Sequence, residues 1–137
     1  MTRATARLAG LAATVAASAA LAACGTEGHD LFVIQREGSV PAAPLTMRVT
    51  DDGRVSCNSR PLVDITSAQL IDARELQRDL APIAARRLSL APARGSVMRY
   101  RVVVEDGAVR FADNSRGQPA ALFRLAKLTR DIARGPC

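Results

Sequence analysis

The chain has 137 residues, with 19 Lys and Arg against 13 Asp and Glu, which gives a formal net charge of +6. Once a targeting segment is removed, this length supports one compact core and is too short for two domains. The sequence contains one histidine, one tyrosine and no tryptophan. So few aromatic rings disfavour nucleic-acid binding by base stacking, and a single histidine disfavours catalysis by a histidine base.

Residues 1–23 are predicted to be a secretory signal peptide. Arg3 and Arg7 provide its positive start, and residues 8–23 carry no charge and are rich in alanine. A membrane-spanning helix needs about 20 strongly apolar residues, so this segment fits an export signal better than a permanent span. The mature part keeps 17 basic and 13 acidic side chains, a formal net charge of +4.

The four residues at the predicted cleavage site, Leu21 to Cys24 ("LAAC"), resemble the lipobox of bacterial lipoproteins. This resemblance implies a diacylglycerol on the Cys24 sulfur, cleavage before Cys24 and acylation of its amine. The acyl chains would anchor the protein to the extracytoplasmic side of the cell membrane. The alternative, an ordinary signal peptide cut nearby, leaves an unpaired thiol in an oxidising compartment. Residues 24–30 then form a short lipidated tether. The excess of Arg and Ala resembles the residue usage of high-GC bacteria such as actinobacteria, and the mature domain resembles their small secreted or lipid-anchored proteins.

The two remaining cysteines, Cys57 and Cys137, are predicted to form a disulfide, because exported domains favour paired thiols. The closed loop of about 80 residues would stabilise the fold by about 4 kcal/mol. A redox pair and a metal site are the other interpretations. The chain has no C-x-x-C spacing, and two thiols with one histidine make a small ligand set, so we predict neither a metal nor a cofactor.

Residues 31–137 are predicted to form a single domain that opens with a strand at 31–39. The segment "VPAAP" at 40–44 ends this strand. Leu, Met and Val then alternate with polar residues from 45 to 57, which predicts a hairpin with its turn at 51–53. The following segment, "NSRPLVD", is expected to be a loop.

The first helix is predicted to begin at Thr66, which makes a capping-box pattern with Gln69. Pro82 is expected to stop or kink it, because proline has no amide hydrogen. A second hairpin follows at 97–113, and its turn contains a glycine at 107.

The last helix is expected to follow Pro119 and to end before Gly135. The predicted order is therefore β-β-β-α-β-β-α. We expect an α+β fold, with a mainly antiparallel sheet and both helices packed on one of its faces.

Arginines dominate the predicted open face of the sheet. If the apolar strand residues point inward, five arginines point outward: Arg48, Arg54, Arg99, Arg101 and Arg110. Such a face could dock on anionic lipid headgroups, an acidic wall polymer or an acidic patch of an envelope protein. The alternative is a solvated face whose arginines pair locally with Glu37, Glu105 or Asp113.

A second candidate site is the polar loop "ADNSRGQP" at 112–119, which contains Asn114, Ser115, Arg116 and Gly117. Exposed amides at the start of the last helix could hold an anion there, with Arg116 beside it. The alternative is an ordinary turn and helix cap.

No catalytic constellation is visible in the sequence. The only histidine, His29, lies in the predicted tether, and no phosphate loop, zinc-protease motif or dinucleotide signature occurs. The neighbouring carboxylates at 51–52 and 105–106 lie in predicted turns, which explains them without acid–base chemistry. We therefore predict that the protein is not an enzyme; an enzyme with an unrecognised site is the remaining alternative.

The layout of elements is similar to that of emfourin, a small protein inhibitor of thermolysin-like metalloproteases. The matching stretches are "FVIQREGS", "YRVVVEDG" and "QPAALFRLAKL". Where emfourins have a Gly-Gly-Phe segment after the first strand, this chain has "EGSVP" at 37–41. The resemblance implies protease inhibition as an alternative function, and it assigns no inhibitory residue.

The sequence thus predicts a membrane-anchored exported lipoprotein that acts as a non-catalytic binding module of the cell envelope. Its expected contacts are the membrane, through the lipid, and an envelope protein or an anionic polymer or lipid. Nucleic acid is not an expected partner.

Overall fold

The computed structural model describes residues 28–137; the predicted signal peptide, Cys24 and most of the predicted tether lie outside this range. The elements are β1 (Asp30–Gly38), β2 (Leu45–Thr50), β3 (Arg54–Cys57), β4 (Val63–Asp64), α1 (Ser67–Ala85), β5 (Met98–Val104), β6 (Gly107–Ala112) and α2 (Ala120–Arg134). The strands form one antiparallel sheet in the order β4-β3-β2-β1-β5-β6. The predicted α+β class is confirmed, with one strand more than expected.

Alternation along the strands decides which face of the sheet is covered. In β2, Leu45, Met47 and Val49 are buried, while Thr46 is exposed and Arg48 is half-buried. The other long strands follow the same pattern, because successive side chains of a strand point to opposite faces. The apolar set therefore packs under the helices, and the polar set forms a helix-free face.

The additional strand, β4, lies where the sequence predicts a loop. Val63 and Asp64 pair with the start of β3, although both of their side chains are exposed. The chain turns back at Asn58 and Ser59, which have φ angles of 52° and 63°. Two exposed residues carry no alternation, so a pattern search cannot find such a strand.

Helix α1 begins as expected and continues beyond Pro82, where the sequence predicts a stop or a kink. The Thr66 side chain accepts a hydrogen bond from the Gln69 amide, and the Gln69 side chain accepts one from the Thr66 amide. The helix does not stop at Pro82 but continues to Ala85. Burial of Ile83 beyond the proline explains why the last turn stays helical, because tertiary packing outweighs the lost hydrogen bond.

Both helices cross the same face of the sheet. At one end α1 contacts the β2–β3 turn, where the Arg74 guanidinium donates to the Asp51 carbonyl at 2.7 Å. At its other end α1 reaches the β5–β6 turn, where Gly107 has φ 144° and a Cβ would lie 2.6 Å from the Ala84 carbonyl oxygen. Glycine is therefore required at position 107.

Helix α2 returns across the sheet and completes the core. The core between the helices and the sheet contains these large, fully buried side chains: Phe32, Ile34, Met47, Leu76, Leu80, Leu122, Leu125 and Ile132. Within residues 28–137, neither helix is long and apolar enough to cross a membrane.

A disulfide joins Cys57 on β3 to Cys137 beyond α2, and their Cα atoms are 5.7 Å apart. The predicted pairing is present in the structure. Because the bond spans 80 residues, it fixes the end of the chain to the middle of the domain.

Replacing Cys137 with serine should lower the free energy of unfolding by about 4 kcal/mol, because the unfolded chain regains the freedom of a long loop. Urea unfolding of the mature protein and the variant measures the difference. Dithiothreitol is the control: it should lower the unfolding midpoint of the wild type and leave that of Cys137→Ser unchanged. Equal stability of the two oxidised proteins would contradict this role of the disulfide.

Candidate functional site

The helix-free face holds all five arginines that the sequence placed there. Each one alternates with a buried neighbour that faces the helices. Arg101 of β5 lies opposite Gln35 of β1 on one side and opposite Arg110 of β6 on the other. Arg48 of β2 lies opposite Val33 and Ser56. The strand register thus spreads the arginines over most of the width of the sheet.

Two chain segments rise beside this face and turn it into two open recesses. The loop at 59–62 borders a recess of about 690 Å³ over β2 and β3, which we call the β3 recess. Arg48, Arg54 and Arg60 line it. The segment at 89–92 borders a second recess of about 570 Å³ over β5 and β6, which we call the β6 recess.

The β6 recess has a firm wall because its bordering segment is hydrogen-bonded to the sheet. The Leu90 amide donates to the Arg110 carbonyl at 2.9 Å, and the Arg110 amide donates to the Leu88 carbonyl at 3.0 Å. These bonds cover the outer edge of β6. Arg99, Arg101 and Arg110 line the recess, and Glu37 is the one carboxylate in its lining.

The two recesses differ in how their arginines are neutralised. In the β3 recess, Arg54 pairs with Asp52 at 2.6 Å, and Arg48 lies 3.7 Å from Asp30. In the β6 recess, by contrast, no carboxylate of residues 28–137 lies within 4 Å of a guanidinium nitrogen of its three arginines. Within residues 28–137, ion pairs with local carboxylates therefore occur on one side of the face only, and their partners are Asp30 and Asp52 instead of the expected Glu37, Glu105 or Asp113.

The carboxylates expected to pair with these arginines are arranged differently. Glu37 is opposite Arg99 in register but forms no ion pair with it. Asp113 instead accepts hydrogen bonds from the Ser96 hydroxyl at 2.8 Å and the Val97 amide at 3.2 Å. Partial burial acts to raise the pKa of Asp113, but these and neighbouring hydrogen bonds outweigh it and lower the pKa. Asp113 is thus ionised, and its carboxylate is hydrogen-bonded to the segment that precedes β5 and not to an arginine.

Arg101 and Arg110 are directly opposite each other on neighbouring strands. Like charges in that arrangement destabilise a sheet. The Arg101 guanidinium donates to the side-chain oxygen of Gln35 at 3.2 Å, which orients it without neutralising it. The β6 recess therefore concentrates positive charge at a cost to the fold.

The second candidate, the loop at 112–119, is largely built into the structure. Ser115 is buried; its hydroxyl accepts from the Ala112 amide and lies 2.9 Å from the Ala91 carbonyl. The Asn114 side chain accepts from the Ala93 amide at 3.0 Å and donates to the Arg94 carbonyl at 3.1 Å. Both side chains hold the segment that borders the β6 recess.

The rest of that loop serves the turn into α2. Gly117 has φ 71°, a conformation that favours glycine, and Gln118 donates to the Ala112 and Ser115 carbonyls. Arg116 is exposed and lies near Arg94 at a smaller recess. The structure therefore does not gather the four predicted residues around one ligand position.

Sequence reasoning missed Arg60 and the wall at 89–92. Neither the loop at 59–62 nor the segment at 89–92 has a strand-like alternation. Their positions beside the sheet depend on how the chain folds. The backbone of His29 is hydrogen-bonded to the β2–β3 turn: its carbonyl accepts from the Asp51 amide at 2.8 Å. Residues 28–137 contain no group of three or more His, Cys, Asp or Glu side chains placed to hold a metal ion.

Asp52 sets the electrostatics of the β2–β3 turn. Hydrogen bonds from the Arg54 guanidinium and then from the Thr50 hydroxyl lower the pKa of Asp52 to about 2. The Thr50 hydroxyl also accepts a hydrogen bond from the Arg54 amide, so this cluster holds the two strands at the turn.

Comparison with known proteins gives no match to a protein-family model, to a curated protein or to a solved structure.

Ser115→Ala should lower the free energy of unfolding by about 1–3 kcal/mol, because the Ala112 amide loses its buried acceptor. Arg116→Ala, the matched change at the next residue, should stay within about 0.5 kcal/mol of the wild type. Urea unfolding measures both. If both variants were as stable as the wild type, the structural assignment of Ser115 would be wrong.

Asp52 should make the stability pH-dependent. Its pKa is about 2 in the folded state against an ordinary 3.8, so its contribution is complete above 3.8 and is lost as the pH falls towards 2. The stability difference between the wild type and Asp52→Asn should therefore be largest at neutral pH and shrink in acid. Urea midpoints over this range measure it, with Asp106→Asn in the other turn as the charge control. A difference that does not change with pH would refute the assignment.

Proposed function

We propose that this chain is an exported, membrane-anchored lipoprotein that binds an anionic partner through the β6 recess and performs no catalysis. The anchor rests on the lipobox resemblance around Cys24. The binding site rests on the geometry of the helix-free face.

The observation that carries the proposal is the unneutralised set of Arg99, Arg101 and Arg110. Three guanidinium groups share one recess, and two of them are directly opposite across the β5–β6 pair. Local carboxylates do not pair with them within residues 28–137. A bound carboxylate or phosphate group would relieve this repulsion through charge-assisted hydrogen bonds, for which the planar guanidinium is well suited.

The surroundings of the recess also suit binding. Leu90 and Pro92 lie on its wall, so apolar surface accompanies the charge. The Tyr100 and Phe111 rings are buried on the helix-covered face of the sheet, where they stack with their centroids 4.8 Å apart and stiffen the strands that form the floor of the recess. A rigid floor reduces the ordering cost of binding.

The lipidated mature protein, Cys24 to Cys137, should be expressed in its own host, crosslinked and recovered with its partner. Arg101→Glu/Arg110→Glu should abolish recovery, because the change reverses the charge of the recess. Arg78→Glu/Arg130→Glu is the matched control: it changes the net charge equally, on exposed helix positions. Cys24→Ser should move the protein from the membrane to the soluble fraction.

Unchanged recovery with Arg101→Glu/Arg110→Glu would refute the β6 recess as the binding site. Recovery of a metalloprotease with both double variants would instead support the emfourin-type inhibitor, which a titration of that protease then tests. Turnover of a captured small molecule would favour an enzyme. Retention of Cys24→Ser in the membrane would contradict the anchor.

A further inference from the structure

Charge is distributed unevenly along the strands. The described chain enters the sheet at Asp30, and the β2–β3 and β5–β6 turns lie at that same end. This end carries Asp51 and Asp52 in one turn and Glu105 and Asp106 in the other. An anchor at Cys24 would attach the domain to the membrane at this end, where the carboxylates lie.

The β6 recess lies farther from that end. Arg101 is opposite Gln35 and Arg99 is opposite Glu37, five and seven residues along β1 from Asp30. At about 3.4 Å per residue, these positions are roughly 17 and 24 Å from the start of the strand. Exposed charges are screened over about 8 Å at physiological salt. Anionic headgroups are thus poorly placed to neutralise the recess.

The arginines also extend across the sheet. From β3 to β6 there are four strand spacings of about 4.8 Å, or roughly 19 Å. The β3 recess, with Arg60 on its wall, lies at one end of this distance and the β6 recess at the other. Between them the face presents Val33, Gln35 and Thr46, which carry no charge, and Glu37 lies farther along β1 beside the β6 recess. A small anion reaches one recess, whereas a chain of anionic groups reaches both.

Resting on the proposed function, we infer that the partner is a linear polymer of phosphate or carboxylate groups in the cell envelope. It lies across the strands from the β3 recess to the β6 recess. The guanidinium groups bind its anionic groups, and the chain crosses β1 at the uncharged Val33 and Gln35.

The test uses the mature chain with Cys24→Ser, which keeps every described element and the disulfide. The probes are labelled long-chain polyphosphate, labelled polygalacturonate, pyrophosphate, and phosphatidylcholine vesicles containing one quarter phosphatidylglycerol. At least one polymer should bind, with an affinity that falls steeply with salt. Pyrophosphate should bind at least about tenfold more weakly, because it engages one recess only.

Variants separate the two recesses. Arg101→Glu/Arg110→Glu should weaken polymer binding by at least about tenfold, and Arg60→Glu by about threefold or more. Arg60→Glu should leave pyrophosphate binding unchanged. Arg78→Glu and Arg78→Glu/Arg130→Glu, the matched controls, should stay within about twofold of the parent chain.

The outcomes distinguish this inference from the proposed function. If only Arg101→Glu/Arg110→Glu weakens polymer binding, or if pyrophosphate binds as tightly as the polymers, the extended footprint is wrong and the recess remains. If vesicles bind more tightly than either polymer and need Arg101 and Arg110, the partner is the bilayer. If no anionic probe binds, the proposed function itself fails.

Discussion

The pairing of β1 with both β2 and β5 is the constraint on which the rest of the structure depends. It joins two hairpins that are far apart in the sequence into one sheet, and it aligns their alternation so that one face is apolar apart from Arg36. That face is too wide for a single helix. Helix α1 therefore crosses it from the β2–β3 turn to the β5–β6 turn, and α2 covers the remainder. The opposite face is left polar, which is where the arginines lie.

The arrangement of charge on the open face follows from the same register. Because β5 and β6 pair without a bulge, Arg101 must lie opposite Arg110, and no rotation of the strand can separate them. At the other side, Arg54 can reach Asp52 only because the β2–β3 turn brings the carboxylate back beside it. One side of the face is thus neutralised by local carboxylates, while the arginines at the other side have no carboxylate partner within residues 28–137.

Much of the fold could be predicted from the sequence because its signals are local. The capping box at Thr66 and the alternation of β2 involve residues within a few positions of one another. Features that depend on how loops fold back on the sheet could not be predicted, such as the wall at 89–92 or the buried Arg36, whose guanidinium donates to the Ala42 and Ala43 carbonyls. The outward arginines could be predicted from alternation, but which of them lack a carboxylate required the register.

The disulfide has a mechanical consequence. Because it joins Cys57 to Cys137, α1, β5, β6 and α2 all belong to one covalent ring, whereas β1 and β2 lie outside it. A force between the start of β1 and Cys137 is therefore carried along the chain through β1, β2 and β3 and then through the sulfur atoms. The strands that bear this load are joined side by side by their hydrogen bonds. The backbone of β5 and β6, which holds Arg99, Arg101 and Arg110, is bypassed, whereas Gln35 and Glu37 of the recess lie on the loaded strand β1.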